Sequence, residues 1–400
     1  MNSAGASPDR RLIVLGSTGS IGQNTLRVVQ HLNETGAASI QPVALAAQRS
    51  AETLISQARA FDVKHVAIGD ETLAETIQTA LPEACVYAGA DGARQMVEAV
   101  TATDLAAAMV GVAGLEATLA GIERGMRISL ANKETLVAAG PLVKAKVKQH
   151  GATLVPVDSE HAAIAQCLDA QPVERIKRVV LTASGGPFRT WSKAAIERAS
   201  VEQALAHPTW AMGKKITIDS ATMMNKTLEL IEAHWLFDLP GEKLSAICHP
   251  QSIVHSFVEF TDHSVLAQLG PPDMKTPIQY ALTAPARAGS VSEAMDWTRL
   301  SELTFEMPDE ARFPALSLGY KVIDLGGTAG AVLNAANEAA VAAFLDRRIA
   351  FGQISALAAQ ALKTITPEPV DSLETVLEAD RQGRAFVERA VERGDLSLAH

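Results

Sequence analysis

Two carboxylates stand two residues apart in Asp158-Ser159-Glu160, at the end of the run Thr153-Leu-Val-Pro-Val-Asp-Ser-Glu-His161, where an apolar strand gives way to helix-like sequence. Side chains at i and i+2 of an extended segment share a face, so both acids are expected to converge on one point. Paired oxygen ligands suit a hard divalent cation, Mg²⁺ or Mn²⁺, rather than zinc, which favours His and Cys. The same pair also fits an acidic helix cap. A second group lies in Ile218-Asp-Ser-Ala-Thr-Met-Met-Asn-Lys-Thr-Leu-Glu-Leu-Ile-Glu-Ala-His-Trp235, expected as a helix entered from a strand. There Asn225, Lys226 and Glu229 fall within a turn of one another and would present an amide, a cation and a carboxylate on one face, although the spacing also suits an i,i+3 surface pair. Two further stretches have the composition of active-site loops, Thr182-Ala-Ser-Gly-Gly-Pro-Phe-Arg189 and His207-Pro-Thr-Trp-Ala-Met-Gly213. Ser184 before a glycine pair offers hydroxyl and backbone donors to an anion, and Trp210 with Met212 could close over a ligand or anchor the loop to the core. His161, His249 and His255 are expected to be structural.

Gly16-Ser-Thr-Gly19-Ser-Ile-Gly22 follows the first apolar run and opens a helix, the setting that a phosphate-binding turn requires. Glycines let the backbone approach a pyrophosphate, and the free N–H groups of a helix start point toward its charge. The spacing is Gly-x-x-Gly-x-x-Gly, not the standard Gly-x-Gly-x-x-Gly. The second strand ends Ala47-Gln48-Arg49-Ser50, without the acid that would hold a ribose 2′-hydroxyl. Arg49 would suit a 2′-phosphate, which favours NADP(H) over NAD(H).

The elements that position these residues can be read from their periodicity. Leu12–Leu15, Pro42–Ala47, Val63–Ile68, Ala106–Val112 and Arg127–Ala131 read as short strands, each followed by helix-like sequence. The fold class is therefore α/β, beginning with a Rossmann-like doubly wound parallel sheet. From 158 to 284 the strand candidates lengthen, including Lys243–Phe260 and Ser264–Leu269, which suggests an α+β catalytic and connective domain. Residues 285–311 read as a crossing linker, and 312–400 as a C-terminal helical bundle of about four segments. The expected domains are thus 1–157, 158–284 and 312–400. With 400 residues, of which 48% are hydrophobic, the chain can bury more than one core. No apolar run has the length of a membrane span, and the residues before Leu12 lack a signal-peptide pattern. Three widely spaced cysteines indicate neither a disulfide framework nor a zinc ribbon, so a cytoplasmic protein is expected. The formal charge of −10 argues against nucleic-acid binding, while leaving room for a local pocket that holds a phosphorylated metabolite.

In combination, GSTGSIG, LANKETLV, PVDSEH, LTASGGPFR, HPTWAMGKKITIDSATMMNKTLE, HPQSIVHS, LGPPDMKTPIQYAL and AANEAAVAAFL resemble the 1-deoxy-D-xylulose 5-phosphate reductoisomerase family, in order and from residue 12 to the C-terminal helices. The resemblance implies Asp158, Glu160 and Glu229 as ligands of Mn²⁺ or Mg²⁺, with Co²⁺ a further candidate. It implies Ser184, His207, Ser220, Asn225 and Lys226 around the substrate phosphate and hydroxyls, with Lys133 and Ser159 near the reacting end. Lys133, Glu160, His207, Trp210 and Glu229 would be the catalytic set. Thr18, Gly19, Ser20, Ile21, Gln48, Arg49, Asn132, Glu134, Met212, Gly213 and Met274 would face NADPH. The implied chemistry is rearrangement of a deoxyketose phosphate to a branched aldehyde, followed by hydride delivery, with 184–214 as a lid. The resemblance also implies a homodimer joined through the second-domain sheet, and no membrane partner. Two departures stand out: the family more often has Gly-Lys-Asn at Ala47-Gln48-Arg49, and a glycine at Thr227. A metal-free NADP-dependent semialdehyde or homoserine-type dehydrogenase would need the same glycine turn but leaves the three acids unexplained, and an NADP-sensing scaffold would need no Glu229.

Overall fold

The computed structural model describes residues 10–168, 171–210 and 212–394, and its contacts divide the chain into two compact units. One unit comprises the chain up to Thr135 together with Val143–Ala162 and Asp273–Glu293; the other comprises Leu136–Leu142, Ala163–Pro272 and the chain from Ala294.

In the first unit, short aliphatic runs form β1 (Arg10–Leu15), β2 (Ile40–Ala47), β3 (His65–Ile68), β4 (Cys85–Ala88), β5 (Asp104–Ala107), β6 (Arg127–Leu130) and β7 (Thr153–Pro156). They pair in parallel in the order β4-β3-β2-β1-β5-β6-β7. The order reverses at β1, so the crevice past the carboxyl ends of β1 and β5 is where such a sheet receives ligands. Leu12, Ile13, Val14 and Leu15 are all fully buried, as a strand covered on both faces requires. Each such side chain contributes about 1.5–3 kcal/mol of burial. Helix Ser20–Glu34 buries Leu26, Val29 and Leu32 against the same core. Helix Lys275–Thr283, supplied from far along the chain, adds Ile278, Ala281 and Leu282 to it.

In the second unit, β8 (Ile176–Ala183), β9 (Leu244–Cys248), β10 (Val254–Phe260) and β11 (Val265–Leu269) form a mixed sheet in the order β11-β10-β8-β9, with β8 and β9 parallel and the other pairs antiparallel. The single strand expected over Lys243–Phe260 is broken: His249–Ile253 turns between β9 and β10, with Ser252 at φ 52° and its amide bonded to His249 O. The strand expected to enter the helix at Ile218 is also absent. Lys214–Thr222 is a helix, joined to helix Met224–Phe237 through Met223 at φ 65°. Helices Ala315–Leu325, Ala329–Leu345, Phe351–Thr364 and Leu373–Arg393 complete the unit.

One close approach among these helices depends on a proline and a glycine. Pro141 cannot donate to the Val137 carbonyl, and Ala139 leaves helical geometry nearby. A Cβ on Gly330 would lie 1.9 Å from that carbonyl oxygen, so glycine alone lets helix Ala329–Leu345 come so near. Among the described residues no helix is long and apolar enough to cross a membrane.

Candidate active site

The glycine turn has the geometry that its sequence suggests. Gly16 adopts φ 75°, and a Cβ there would meet Ala108 O at 2.4 Å; one on Gly22 would meet Gly16 O at 2.3 Å. Gly19 immediately precedes helix Ser20–Glu34, and no side chain caps that end. The first-turn amides therefore remain as donors, and the segment fits the pyrophosphate of a dinucleotide. Thr18, Ser20 and Ile21 border this opening. Gln48 and Arg49 follow β2 at the same edge; the Arg49 side chain is 81% exposed, with Nε 4.0 Å from Asp70 Oδ2. Asn132, just past β6, spends its side chain on the protein. Its amide donates to Met109 O and Gly111 O, and its Oδ1 accepts from the Thr135 amide (2.8 Å) and hydroxyl (2.9 Å). Glu134 begins the next helix and is buried.

Asp158 and Glu160 do converge, but not through an extended segment. β7 ends at Pro156, the next helix begins at Ser159, and Asp158 O accepts from Ala162 N at 2.8 Å. The pair sits on a helix start, where the positive end of the macrodipole favours anions. Their carboxylate oxygens lie within 4.8 Å of each other. Lys133 Nζ pairs with Asp158 Oδ2 at 2.6 Å, and the Ser159 hydroxyl donates to Glu160. His161 is fully buried, with Nδ1 3.9 Å from Asp158 Oδ2. Oxygen ligands about 2.1 Å from a magnesium ion lie up to about 4.2 Å apart, so modest side-chain rotation lets these two acids share one hard cation. The donor set therefore fits the implied metal.

In the second unit, helix Met224–Phe237 carries Asn225, Lys226 and Glu229. Lys226 and Glu229 are 2% and 1% exposed, so their ion pair is no surface ornament. The Asn225 amide donates to Glu229 Oε1. Thr227 is fully buried, and its hydroxyl bonds Ala315 O at 2.9 Å, which anchors this helix to Ala315–Leu325.

The loop past β8 assembles a donor group. His207 Nδ1 accepts from the amides of Thr209 (3.1 Å) and Trp210 (2.9 Å), so that nitrogen is unprotonated and Nε2 carries the hydrogen. Nε2 lies 3.0 Å from Ser184 Oγ, which also accepts from Gly186 N at 3.2 Å. With both contacts donating to it, the Ser184 hydroxyl keeps its own proton for an anion. Burial holds His207 below its usual pKa, in keeping with a neutral ring. Gly186, at φ 65°, abuts Ser220: a Cβ there would be 2.6 Å from Ser220 O. Trp210 and Met212 are half-buried, and Gly213 precedes helix Lys214–Thr222. Ala211, between them, lies outside the described residues. Met274 precedes helix Lys275–Thr283.

One brace has no signal in the sequence. The Asn337 amide donates to Asp219 Oδ1 at 2.8 Å while Lys215 pairs with Asp219 Oδ2 at 2.9 Å, bracing the helix that carries Ser220. The partners are 118 residues apart. Burial pushes the thiols of Cys167 and Cys248 up to about 11, which removes them as nucleophiles at neutral pH.

Comparison with known proteins gives one family along the chain. A family model described as 1-deoxy-D-xylulose 5-phosphate reductoisomerase matches residues 12–140, and models for C-terminal domains of the same enzyme match 154–237 and 269–386. The chain is similar to the 1-deoxy-D-xylulose 5-phosphate reductoisomerase of Zymomonas mobilis, 47% identical over 94% of this chain and 97% of the relative. The Caulobacter vibrioides protein of the same name is 46% identical over 96% of each. Among solved structures, the Z. mobilis enzyme in complex with NADPH superposes with a TM-score of 0.89 at 44% identity, covering 96% of this chain and all of that one. A DOX-P reductoisomerase in complex with NADPH, fosmidomycin and magnesium gives 0.91 at 38% identity, covering 96% and 99%.

His255, on β10, titrates far from its usual range. Burial lowers its pKa to about 4, with nearby His249 and Lys226 acting in the same direction and the main chain at Gly270 and Pro271 opposing them. The unfolded chain takes up this proton near 6.5, whereas the folded protein holds it off until about 4. The stability contributed by a neutral His255 is therefore complete above pH 6.5 and is lost as pH falls toward 4, on the order of 3 kcal/mol. An NMR titration should show the His255 ring neutral at pH 5.5; a midpoint near 6.5 would contradict the burial argument.

Proposed function

This chain belongs to the 1-deoxy-D-xylulose 5-phosphate reductoisomerase family, and from that membership we infer that it converts 1-deoxy-D-xylulose 5-phosphate to 2-C-methyl-D-erythritol 4-phosphate, with NADPH and a divalent cation, in isoprenoid precursor synthesis. The observation that carries the inference is the convergence of Asp158 and Glu160, beside Lys133, at the ligand edge of a sheet whose glycine turn accepts a dinucleotide. We propose Asp158, Glu160 and Glu229 as the ligands of the cation. Carboxylates brought together on one ligand repel one another unless a cation joins them. When bound, the cation supplies Lewis acidity to the substrate's carbonyl and hydroxyl oxygens, and NADPH supplies hydride.

The chain's own residues do the rest. Ser184 and Ser220 give hydroxyl donors, Asn225 an amide and Lys226 an ammonium, the donor types that a phosphate monoester and its neighbouring hydroxyls accept. Neutral His207 holds the Ser184 oxygen through Nε2, which leaves the serine proton available to the proposed phosphate. Lys133 and Ser159 stand beside Asp158 and Glu160 and orient those acids at the reacting end. Trp210 and Met212 lie on a loop entered through two positive-φ glycines, Gly185 and Gly186, and closure of that loop over substrate would exclude water from the aldehyde. Thr18, Gly19, Ser20, Ile21, Asn132, Glu134, Gly213 and Met274 are assigned to the dinucleotide, with Gln48 and Arg49 toward its 2′-phosphate. Residues 1–157 are assigned to NADPH binding, 158–284 to catalysis and dimer formation, and 312–400, after the linker 285–311, to the helical domain of a cytoplasmic enzyme. A dehydrogenase using a cysteine nucleophile is disfavoured by the raised thiols of Cys167 and Cys248.

The homodimer is proposed through β11. It is an edge strand whose Val265 and Leu266 are 53% and 49% exposed, an open apolar edge that a second copy would cover. Light scattering at micromolar concentration should give twice the chain mass, and a monomer would remove this assignment.

Purified protein given 1-deoxy-D-xylulose 5-phosphate, NADPH and Mn²⁺ should consume NADPH, and EDTA should stop it. Glu229→Gln should lower kcat on the order of a hundredfold or more while leaving NADPH affinity within about twofold. Turnover indifferent to EDTA, or a Glu229→Gln enzyme as active as the parent, would refute the metal assignment.

A further inference from the structure

The first residues of three adjacent strands form a charged clamp on the edge of the parallel sheet opposite the ligand crevice. Arg10 opens β1, Asp104 opens β5 and Arg127 opens β6. Asp104 is 2% exposed, and it accepts two hydrogen bonds from Arg10, through Nε at 3.2 Å and through Nη2, with a third from the Thr103 hydroxyl at 2.6 Å. Both arginines then reach helix Lys275–Thr283. Arg10 Nη1 donates to Leu282 O, while Arg127 Nη2 donates to Ala281 O at 3.0 Å and to Ala284 O at 3.1 Å. These carbonyls belong to the last turn and cap of the helix, where intrahelical partners run out and the dipole is negative. One carboxylate against two guanidiniums leaves a surplus positive charge, and the helix end meets it.

The helix is a short rod laid across the sheet. Its nine residues span about 13 Å, and the four residues of β6 span about the same. Ile278, Ala281 and Leu282 fix its buried face in the core shared with Val155 and Val157 of the β7 segment. Its other end begins at Met274, beyond which Asp273 Oδ1 accepts from Lys275 N at 2.9 Å. Met274 packs on the same apolar cluster as Ile278, Ala281 and Leu282, and the helix is about as long as the strand it covers, with its last turn held at the amino edge. A rod clamped at one edge of the sheet thus presents its start at the dinucleotide edge.

We propose that Arg10 and Arg127 are positioning residues for NADPH: they lock helix Lys275–Thr283 along its axis and so set the place of Met274 against the dinucleotide. The proposal rests on the assignment of Met274 to the cofactor. Neither arginine touches substrate or cofactor; each acts through the rod.

The test is a double-mutant cycle in the full-length enzyme with Arg127→Met, Met274→Ala and the pair, reading KM for NADPH, KM for the sugar phosphate and the unfolding midpoint. Arg127→Met should raise the NADPH KM about five- to tenfold with the sugar phosphate KM within about twofold, and should add less than about twofold in the Met274→Ala background. If Arg127→Met does not fold, Arg127→Lys, which keeps the charge but loses the planar fork, takes its place. A lowered unfolding midpoint with an unchanged NADPH KM makes the clamp purely structural and overturns the proposal, as does additivity of the two changes. If Met274→Ala alone leaves the NADPH KM unchanged in an active enzyme, the cofactor assignment of Met274 fails first and the proposal falls with it.

Discussion

A carboxylate taken out of water stays ionised only if a cation or hydrogen-bond donors compensate its charge, and that constraint shapes the elements around the proposed site. Glu229 is 1% exposed, and Asp158 lies beside a lysine that is itself 7% exposed. Left unpaired, such charges cost several kcal/mol each. Each unit meets the requirement internally, Lys133 with Asp158 in one and Lys226 with Glu229 in the other. Both acids can therefore be buried within their own unit before any metal arrives. Lys133 and Lys226, which make that burial tolerable, are also ammonium donors of the type that a phosphorylated sugar accepts.

The same economy of charge recurs away from the acids. Asp219, also nearly inaccessible, is held by Lys215 and the Asn337 amide, and the helix so braced carries Ser220. Asp104 is held by Arg10, and the surplus charge of that cluster is spent on a helix end. In each case a buried acid fixes an element that also carries one of the proposed site residues, Ser220 in one and Met274 at the start of the other. Elements braced in this way hold their residues more rigidly than the glycine turn and the segments that follow β2 and β8.

Much of this was legible in the residues because it follows from short-range rules. The glycine turn, the parallel strands that flank it and the four C-terminal helices each announce themselves through backbone permissiveness or apolar spacing. The acids of Asp158-Ser159-Glu160 were legible as a pair, but the stated cause, alternation along a strand, was the wrong one: a helix start brings them together. The helix expected over Ile218–Trp235 is present, but the strand expected to enter it is helical too, with a left-handed Met223 as the joint between two helices. The long strand expected through His249 breaks at Ser252 for a similar reason, a positive φ on a residue that does not advertise it. The clamp on helix Lys275–Thr283 was illegible, since its partners lie 154 to 272 residues apart and an arginine that opens a strand looks like any solvated cation.

One divalent ion is proposed on Asp158, Glu160 and Glu229. Anomalous diffraction from crystals grown with Mn²⁺, recorded at the manganese edge, tests it directly. A single strong peak is expected about 2.2 Å from carboxylate oxygens of Asp158, Glu160 and Glu229. A peak that touches only one of the three, or none, would contradict it.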